Sequence, residues 1–241
     1  MSLIDKLVLI TGAARRVGRE LALAIAQAGG DVVIHYGHSQ AEAESLQAEI
    51  GQLGRSAYLL QVELNDPAQV ETLVSRACEH GPLFALINNA AIFESLTWES
   101  TTLEAWNRHL MVNLTVPLLL SQAFARMLSP EGTGRIINLL DWRALRPGAD
   151  HLPYTISKAA LAALTHSLAI ALAPRITVNG LALGAILPPE GGKMPRNILD
   201  KVPAGRWADL HEVGQAAIFL LDGPAYITGE IIHIDGGRHL V

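Results

Sequence analysis

The stretch "ITGAARRVGRE", residues 10–20, joins a short apolar run to a helical pattern and carries Gly12 and Gly18. Glycines in such a turn let the main chain approach a pyrophosphate at the N-terminus of the following helix. A loop of the form TGxxxGxG would place its second glycine where this chain has Arg16. The stretch therefore predicts a dinucleotide-binding βα unit in which a guanidinium group replaces one glycine.

The same strand-then-helix order continues along the chain. The apolar runs are continuous, which is typical of strands that are covered on both faces in a parallel sheet. This pattern predicts a doubly wound, Rossmann-type α/β fold with about seven strands, in one domain over residues 1–241. The predicted strands are KLVLIT, DVVIHY, AYLLQVEL, LFALIN, GRIINLLD, RITVNGLA and EIIHID, and the predicted helices cover residues 17–28, 40–53, 103–127, 154–173 and 210–221, with another after Asn65-Asp66-Pro67.

Composition limits the classes of partner. The net charge of −5 argues against a nucleic-acid surface, so a small molecule is the expected partner. Cys78 is the only cysteine, which excludes an intramolecular disulfide and a cysteine metal cluster and favours a reducing compartment; we expect the cytoplasm and no metal. The apolar segment 159–173 is shorter than the roughly 20 residues that span a bilayer, and polar residues interrupt it, so it predicts a buried helix rather than membrane association.

Ligands in such folds bind outside the carboxyl ends of the strands, so the residues that follow each strand are the candidates for a site. The segment 186–207 lies at this rim, is rich in proline and glycine, and is longer than an ordinary connection. We expect it to be a loop that covers the substrate; an insertion without a function is the alternative.

Tyr154 and Lys158 lie four residues apart on a helical pattern, so their side chains share one face. A tyrosine with its ordinary pKa of about 10 is a poor acid-base group, and a nearby cation lowers that pKa by roughly one to three units. The pair is therefore a candidate general acid.

Several motifs in this order resemble the short-chain dehydrogenase/reductase family over essentially the full length. They are the glycine turn, Asn88-Asn89-Ala90, Asn113, Tyr154-x-x-x-Lys158, Val178-Asn179 and Asp235-Gly236-Gly237. The resemblance implies hydride transfer with NAD(P)(H), in which Tyr154 passes a proton. It further implies that Lys158 holds the nicotinamide ribose and lowers the pKa of Tyr154, and that Asn113 positions a water.

Two departures from the family pattern point to a branch. Asp141 stands 13 residues before Tyr154, where the family generally has a serine, and a carboxylate accepts from a substrate N–H rather than donating to a carbonyl. Together with Arg16 it resembles pteridine reductases, which reduce dihydropterins, and in some members dihydrofolate, with NADPH. The candidate catalytic residues are Asp141, Tyr154, Lys158 and Asn113, and the candidate substrate-binding residues are Arg16, Phe93, Asp141, Trp142 and Tyr154. Ala91 stands where the branch often has a serine.

The end of the second strand indicates the cofactor. An NAD site has an acidic residue there for the ribose 2′-hydroxyl, whereas "VVIHYGHS" has none and so favours the 2′-phosphate of NADPH or NADP+. His38 stands where the branch usually has an arginine, so we expect phosphate binding to weaken as pH rises through the titration of histidine. The candidate cofactor-binding residues are Gly12, Arg15, Arg16, Val17, Gly18, His35, Tyr36, His38, Ser39, Glu63, Leu64, Asn89, Ala90, Lys158, Gly184 and Ile186.

Two other functions remain open at this point. One is a reductase of ketones or 3-oxoacyl substrates, and the other is a non-catalytic NADP(H)-binding sensor on the same fold. The two long helices of low charge, together with the resemblance, favour a homotetramer, in which Arg238 or His239 would reach a neighbouring subunit's site.

Overall fold

The computed structural model describes residues 3–187 and 196–241. Seven strands form one parallel sheet in the order β3-β2-β1-β4-β5-β6-β7, which confirms the predicted Rossmann-type fold. The strands are β1 (Leu7–Ile10), β2 (Asp31–Tyr36), β3 (Ala57–Gln61), β4 (Leu83–Asn88), β5 (Gly134–Asp141), β6 (Ile176–Leu183) and β7 (Ile231–Ile234).

The helices lie close to their predicted positions. They are α1 (Arg16–Gln27), α2 (Gln40–Gln52), α3 (Pro67–Cys78), α4 (Leu103–Leu110), α5 (Val116–Met127), α6 (Leu152–Leu172) and α7 (Leu210–Asp222). The predicted start signal of α3 is present, because the Asp66 side chain accepts a hydrogen bond from the Ala68 N–H and Pro67 occupies the first turn. The predicted helix over residues 103–127 is present and contains a π-helical turn, Met111–Thr115, between α4 and α5.

Alternate residues of each strand enter two different cores. In β1, Val8 and Ile10 pack with α1, α2 and α7, whereas Leu7 and Leu9 pack with α3, α5 and α6 on the other face. Strands buried on both faces explain the continuous apolar runs of the sequence. The segments 103–127 and 152–172 are apolar and long enough to cross a membrane, but here they are core helices packed on this second face.

The direction of winding changes between β1 and β4, and this places the ligand crevice. The carboxyl ends of both strands open at the same edge of the sheet. The predicted covering loop lies partly outside the described residues, which exclude 188–195. Its second half includes a 3₁₀ turn, Arg196–Lys201, and returns to the C-terminal turn, where the Ala204 N–H donates to the Gly236 carbonyl at 3.0 Å.

Candidate active site

The turn after β1 is fastened to the end of β4 by two polar side chains. The Thr11 hydroxyl accepts hydrogen bonds from the main-chain N–H groups of Asn89 and Ala90, each at 3.0 Å. The Asn89 amide in turn donates to the carbonyls of Thr11 and Gly12, at 2.8 and 3.0 Å. Asn89 and Ala90 were predicted to contact the cofactor directly. The structure adds that Thr11 and Asn89 hold the turn in place.

The same turn forms a cradle that only glycine permits. A Cβ atom added to Gly18 would lie 2.3 Å from the Gly12 carbonyl oxygen and 2.7 Å from the Asn89 side-chain nitrogen. Gly12 has φ +62° and faces Ala90. The close approach of these backbones at the first turn of α1 fits a pyrophosphate, because N–H groups and the positive end of the helix dipole meet there.

Arg16 adopts the backbone conformation that a glycine would adopt at its position. Its φ is +54°, in the left-handed region that costs a residue with a Cβ about 1 kcal/mol or more. The side chain is exposed and lines the large cavity beside the turn. The turn therefore keeps its shape without the second glycine and gains a guanidinium group that faces the ligand space.

His35, predicted to bind the cofactor, makes its side-chain contacts inside the protein. The ring is buried, its Nδ1 accepts from the Gly12 N–H at 2.9 Å, and its Nε2 lies 3.0 Å from the Val62 carbonyl. Burial lowers the pKa of His35 to about 4, so the ring is neutral at pH 7. His35 therefore connects the phosphate turn to the end of β3, where a neutral ring that accepts with one nitrogen and donates with the other is required.

The other residues at the end of β2 divide into two groups. Tyr36 and Leu64 are buried in the two cores, so any contact they make with a cofactor comes from their main chain. His38 is exposed, and its Nδ1 lies 3.5 Å from the Glu63 carboxylate. Ser39 is the N-cap residue of α2, and its carbonyl accepts from the Ala43 N–H at 3.0 Å. Of these predicted residues, His38, Ser39 and Glu63 carry polar side chains that are exposed or half-buried.

Tyr154, Asp141 and Lys158 meet at the ends of β5 and α6, as the sequence predicted. The Tyr154 hydroxyl donates to Asp141 Oδ2 at 3.2 Å, and Lys158 Nζ lies 5.8 Å from the centre of the Tyr154 ring. Lys158 also donates to the Leu139 carbonyl at 2.6 Å. Both Tyr154 and Lys158 are buried, so these contacts act in a medium of low polarity.

Lys158 was expected to lower the pKa of Tyr154, but burial and Asp141 have the largest effects on it. Burial raises the pKa of Tyr154 well above its ordinary value, and the charge and hydrogen bond of Asp141 raise it further. Burial also raises the pKa of Asp141, and it lowers the pKa of Lys158 to about 8. Tyr154 is thus held as a protonated phenol, the form that an acid needs before it gives up its proton.

The Asn113 side chain is held by protein partners. It lies in the π-helical turn, where its Oδ1 accepts from the Ile92 N–H at 2.9 Å and its Nδ2 donates to the Ile92 carbonyl and the Ser157 hydroxyl, both at 3.0 Å. Ser157 donates to the Tyr154 carbonyl at 2.7 Å. The amide therefore fixes the loop after β4 to the helix that carries Tyr154, and the positioning of a water by Asn113 stays a prediction.

The comparisons with known proteins agree with this geometry. A family model described as enoyl-(acyl carrier protein) reductase matches residues 12–239. A short-chain dehydrogenase from Burkholderia cenocepacia, solved with NADP, has a TM-score of 0.92 and 34% identity and covers 99% of both chains. The chain belongs to the short-chain dehydrogenase/reductase family. It is therefore an NAD(P)-dependent reductase, and its seven-stranded sheet is the fold of that family.

Two further relatives of this short-chain reductase differ in their substrates. The 3-oxoacyl-[acyl-carrier-protein] reductase FabG of Escherichia coli is 33% identical over 248 residues, which cover 100% of both chains. The structure of FolM, alternative dihydrofolate reductase 1 of Brucella canis, in complex with NADP is 34% identical with a TM-score of 0.92, and the match covers 100% of this chain and 97% of that one. Similarity thus shows the reductase class and leaves the substrate open.

A cavity of about 890 Å³ runs from the phosphate turn of this short-chain reductase to Tyr154. Phe93 stacks on His151 with ring centres 4.1 Å apart and meets Tyr154 edge-on at 4.6 Å. His151 has φ +52° and places Nδ1 2.9 Å from the Glu94 carbonyl. Phe93 and the half-buried Trp142, both predicted, line this cavity.

Several residues that line the cavity were not among the predicted site residues, including His151, Trp207 and Arg143. Arg143 follows β5 and Trp207 ends the segment 186–207, so their positions at the rim of the sheet could have indicated them.

The remaining predicted residues lie around the cavity. Gly184 approaches the C-terminal turn so closely that an added Cβ would lie 2.6 Å from the Asp235 Cα, and Ile186 lines the cavity from a buried position. Half-buried Val17 lines it from α1.

Arg238, near the C-terminus, lies in its own chain's site. Arg238 lines the same cavity, and His239 Nδ1 lies 2.8 Å from Asp235 Oδ2 while its ring stacks on His233. Arg238 thus reaches a cavity of its own chain, and contact of Arg238 or His239 with a neighbouring subunit's site stays a prediction.

Proposed function

We propose that this protein is an NADPH-dependent reductase of a pteridine, either a dihydropterin or a dihydrofolate. The observation that carries the proposal is the Asp141 carboxylate, which accepts from the Tyr154 hydroxyl inside the cavity where a carbonyl reductase generally has a donor. A carboxylate accepts from the N–H and amino groups of a nitrogen heterocycle and repels the lone pairs of a ketone oxygen. The FolM similarity supports the same substrate class.

The cradle fits NADPH by its shape and its charge. Gly12 and Gly18 admit a pyrophosphate, Arg15 and Arg16 line the cavity beside it, and no acidic residue stands at the end of β2 among residues 36–39. Buried Lys158 would hold the ribose hydroxyls next to Tyr154. When bound, the cofactor supplies a hydride to a carbon of the substrate ring.

Tyr154 would give the proton to the neighbouring ring nitrogen. Because burial and Asp141 raise its pKa, the hydroxyl is protonated at neutral pH and has a proton to give to the substrate. Asp141 would bind the substrate N–H groups and orient the hydroxyl, and Phe93 and Arg16 would hold the flat ring. Positioning of this kind supplies much of the rate in such reactions.

A 3-oxoacyl or ketone reductase is the second candidate. Ala91 lines the cavity at the place where the pteridine branch often has a serine, and the FabG relative acts on a 3-oxoacyl substrate by its name. A non-catalytic NADP(H) sensor is the third. It is disfavoured because Tyr154 and Lys158 are in contact with the cavity.

The deciding experiment follows NADPH oxidation by absorbance with dihydrobiopterin, dihydromonapterin and dihydrofolate beside a panel of ketones, quinones and a 3-oxoacyl thioester. We expect turnover on a dihydropteridine. Turnover only on carbonyl compounds would replace the proposal by the second candidate, and NADPH binding without any turnover would favour the sensor.

His38 predicts that a permanent positive charge at its position would strengthen NADPH binding. The variant His38→Arg would place a guanidinium group beside the 2′-phosphate and should show a lower KM for NADPH than the wild type. Steady-state kinetics would check this, and an unchanged or higher KM for NADPH would contradict it.

Variants of Arg16 should separate its effect on substrate binding from its effect on stability. Arg16→Gly and Arg16→Ala both remove the guanidinium group and should raise KM for a dihydropteridine about tenfold, the loss of one charge-assisted hydrogen bond. Only glycine accepts φ +54° without strain, so Arg16→Gly should be more stable to urea than Arg16→Ala by ~1 kcal/mol. Equal stability of the two variants would show that the turn relaxes when its side chain is removed.

We also infer a cytoplasmic homotetramer. The outer faces of α4, α5 and α6 keep large apolar side chains in solvent, with Leu103, Met127 and Ile170 exposed by 75, 50 and 82%. An interface between chains would bury such a surface. Sedimentation equilibrium should give a mass of about four chains.

The inferred location in the cytoplasm rests on Cys78, because a single thiol suits a reducing compartment.

A further inference from the structure

The cavity has a strong excess of positive charge. Among the described residues that line it, five carry a cationic side chain, Arg15, Arg16, Arg143, Lys158 and Arg238, and one, Asp141, carries a carboxylate. Arg15, Arg16 and Lys158 stand on the side of the glycine cradle and the ribose. The charges of the cofactor therefore do not account for Arg143 and Arg238.

These two arginines meet at Trp142, on the substrate side of the cavity. The guanidinium carbons of Arg143 and Arg238 each lie 4.8 Å from the centre of a Trp142 ring. Arg238 follows β7, which is four strands from β1 and about 19 Å away at the spacing of neighbouring strands. The pair thus comes from the half of the sheet opposite the phosphate turn.

Both side chains are held in place before any ligand binds. The Asp235 carboxylate accepts from the N–H groups of Gly237 and His239, at 3.0 and 2.8 Å, and so fixes the turn that carries Arg238. Arg238 donates to the Ile198 carbonyl at 3.2 Å, and Arg143 donates to Asp150 Oδ2 at 3.1 Å. A preorganised guanidinium group loses little side-chain entropy when it binds an anion.

Arg143 lies 3.1 Å from Asp150 Oδ2 and 3.7 Å from Asp141 Oδ1, so the excess of positive charge falls on Arg238. Burial lowers the pKa of Arg238, and the neighbouring cations Arg143 and Arg146 lower it further against the opposing effect of Asp235. Like charges held together cost free energy, and an anionic group placed between them removes that cost.

We propose that Arg143 and Arg238, beside Trp142, form a subsite for an anionic tail on the substrate. The inference rests on the proposed pteridine reductase function and narrows its substrate to a reduced pteridine that carries a carboxylate or phosphate group away from the ring. The forked guanidinium geometry suits either anion.

The test measures binding of three pteridines to the protein saturated with NADP+ by titration calorimetry. Dihydrofolate carries carboxylates, dihydroneopterin monophosphate carries a phosphate, and dihydroneopterin has a neutral tail. We expect Arg238→Gln to weaken binding of at least one of the two anionic compounds about tenfold and to leave binding of dihydroneopterin unchanged, because it removes a hydrogen bond to a charged group. The anion that loses affinity identifies the tail.

Two control variants accompany this test. Arg238→Lys keeps the charge and should recover part of the loss, and Arg126→Gln removes an exposed arginine of α5 and should change nothing. In turnover, Arg238→Gln should raise KM for the anionic substrate without lowering kcat. Equal weakening of all three compounds, or no weakening, would overturn the subsite while the pteridine function stands. Absence of binding and turnover with every dihydropteridine would overturn the proposed function and this substrate class with it.

Discussion

Replacing Tyr154 by phenylalanine is expected to lower kcat for the reductase reaction about 10³-fold, within the range of one lost general acid. The change removes only the hydroxyl that donates to Asp141 at 3.2 Å. The ring keeps its packing, since its edge-on contact with Phe93 at 4.6 Å does not involve the oxygen. The variant should therefore fold normally and bind NADPH as the wild type does.

Single-turnover kinetics and NADPH fluorescence titration would measure the two effects of Tyr154→Phe separately. Tyr226→Phe is the matched control, because Tyr226 is 99% exposed and removal of its hydroxyl should leave kcat unchanged. A Tyr154→Phe variant with the wild-type kcat would mean that another group supplies the proton.

Replacing Asp141 by serine, the residue that the family generally has at this position, should lower kcat/KM for a dihydropteridine about 100-fold. The carboxylate would bind two N–H groups of the ring, and the loss of such charged hydrogen bonds costs roughly 1.5 to 3 kcal/mol. NADPH affinity should change little, because the cradle of Gly12, Gly18 and Asn89 does not include Asp141. The hydroxyl that Asp141→Ser introduces is able to donate to a carbonyl, so activity on ketones should rise.

The pH profile of activity measures the effect of the Asp141 charge on the pKa of Tyr154. Its charge raises the pKa of Tyr154, so Asp141→Ser should lower that pKa. Because the reaction needs the protonated phenol, activity is lost as pH rises through the pKa of Tyr154, and the alkaline limb of the profile should move to lower pH in the variant. Asp141→Asn is the control that keeps the shape and loses the charge, and it should move the limb in the same direction. Wild-type kcat/KM on a dihydropteridine in Asp141→Ser would contradict the assigned role.

The architecture was predictable because its signals are local. Continuous apolar runs, helical periodicity and the Asp66-Pro67 start signal depend on neighbours within a few residues, and the elements lie near their predicted bounds. Tyr154 and Lys158 were predictable for the same reason, since a spacing of four residues on one helix places both side chains on one face. Asp141 was found by counting 13 residues back along the family pattern, and it does contact Tyr154.

Contacts between distant segments were not predictable in this way. Histidine is a residue type that can bind phosphate, but the register of β2 turns the His35 ring inward. There its Nδ1 accepts from the Gly12 N–H, 23 residues away in the sequence. Asn113 has the family position of a water ligand, yet its amide is occupied by Ile92, 21 residues away. A spacing rule cannot show which hydrogen-bond partners a buried polar group will find, although burial requires that it find them.

The sequence by itself determined the parallel sheet, the glycine turn, the acid-base pair and the departures at Arg16 and Asp141. These depend on residue type, on local periodicity and on position in an ordered motif. Only the tertiary structure decided that His35 supports the turn, that burial and Asp141 keep Tyr154 protonated, and that Arg143 and Arg238 meet at Trp142. Those features arise where β5 and β7, and β1 and β2, bring together residues far apart in the chain, and burial there sets the electrostatic energy of each group.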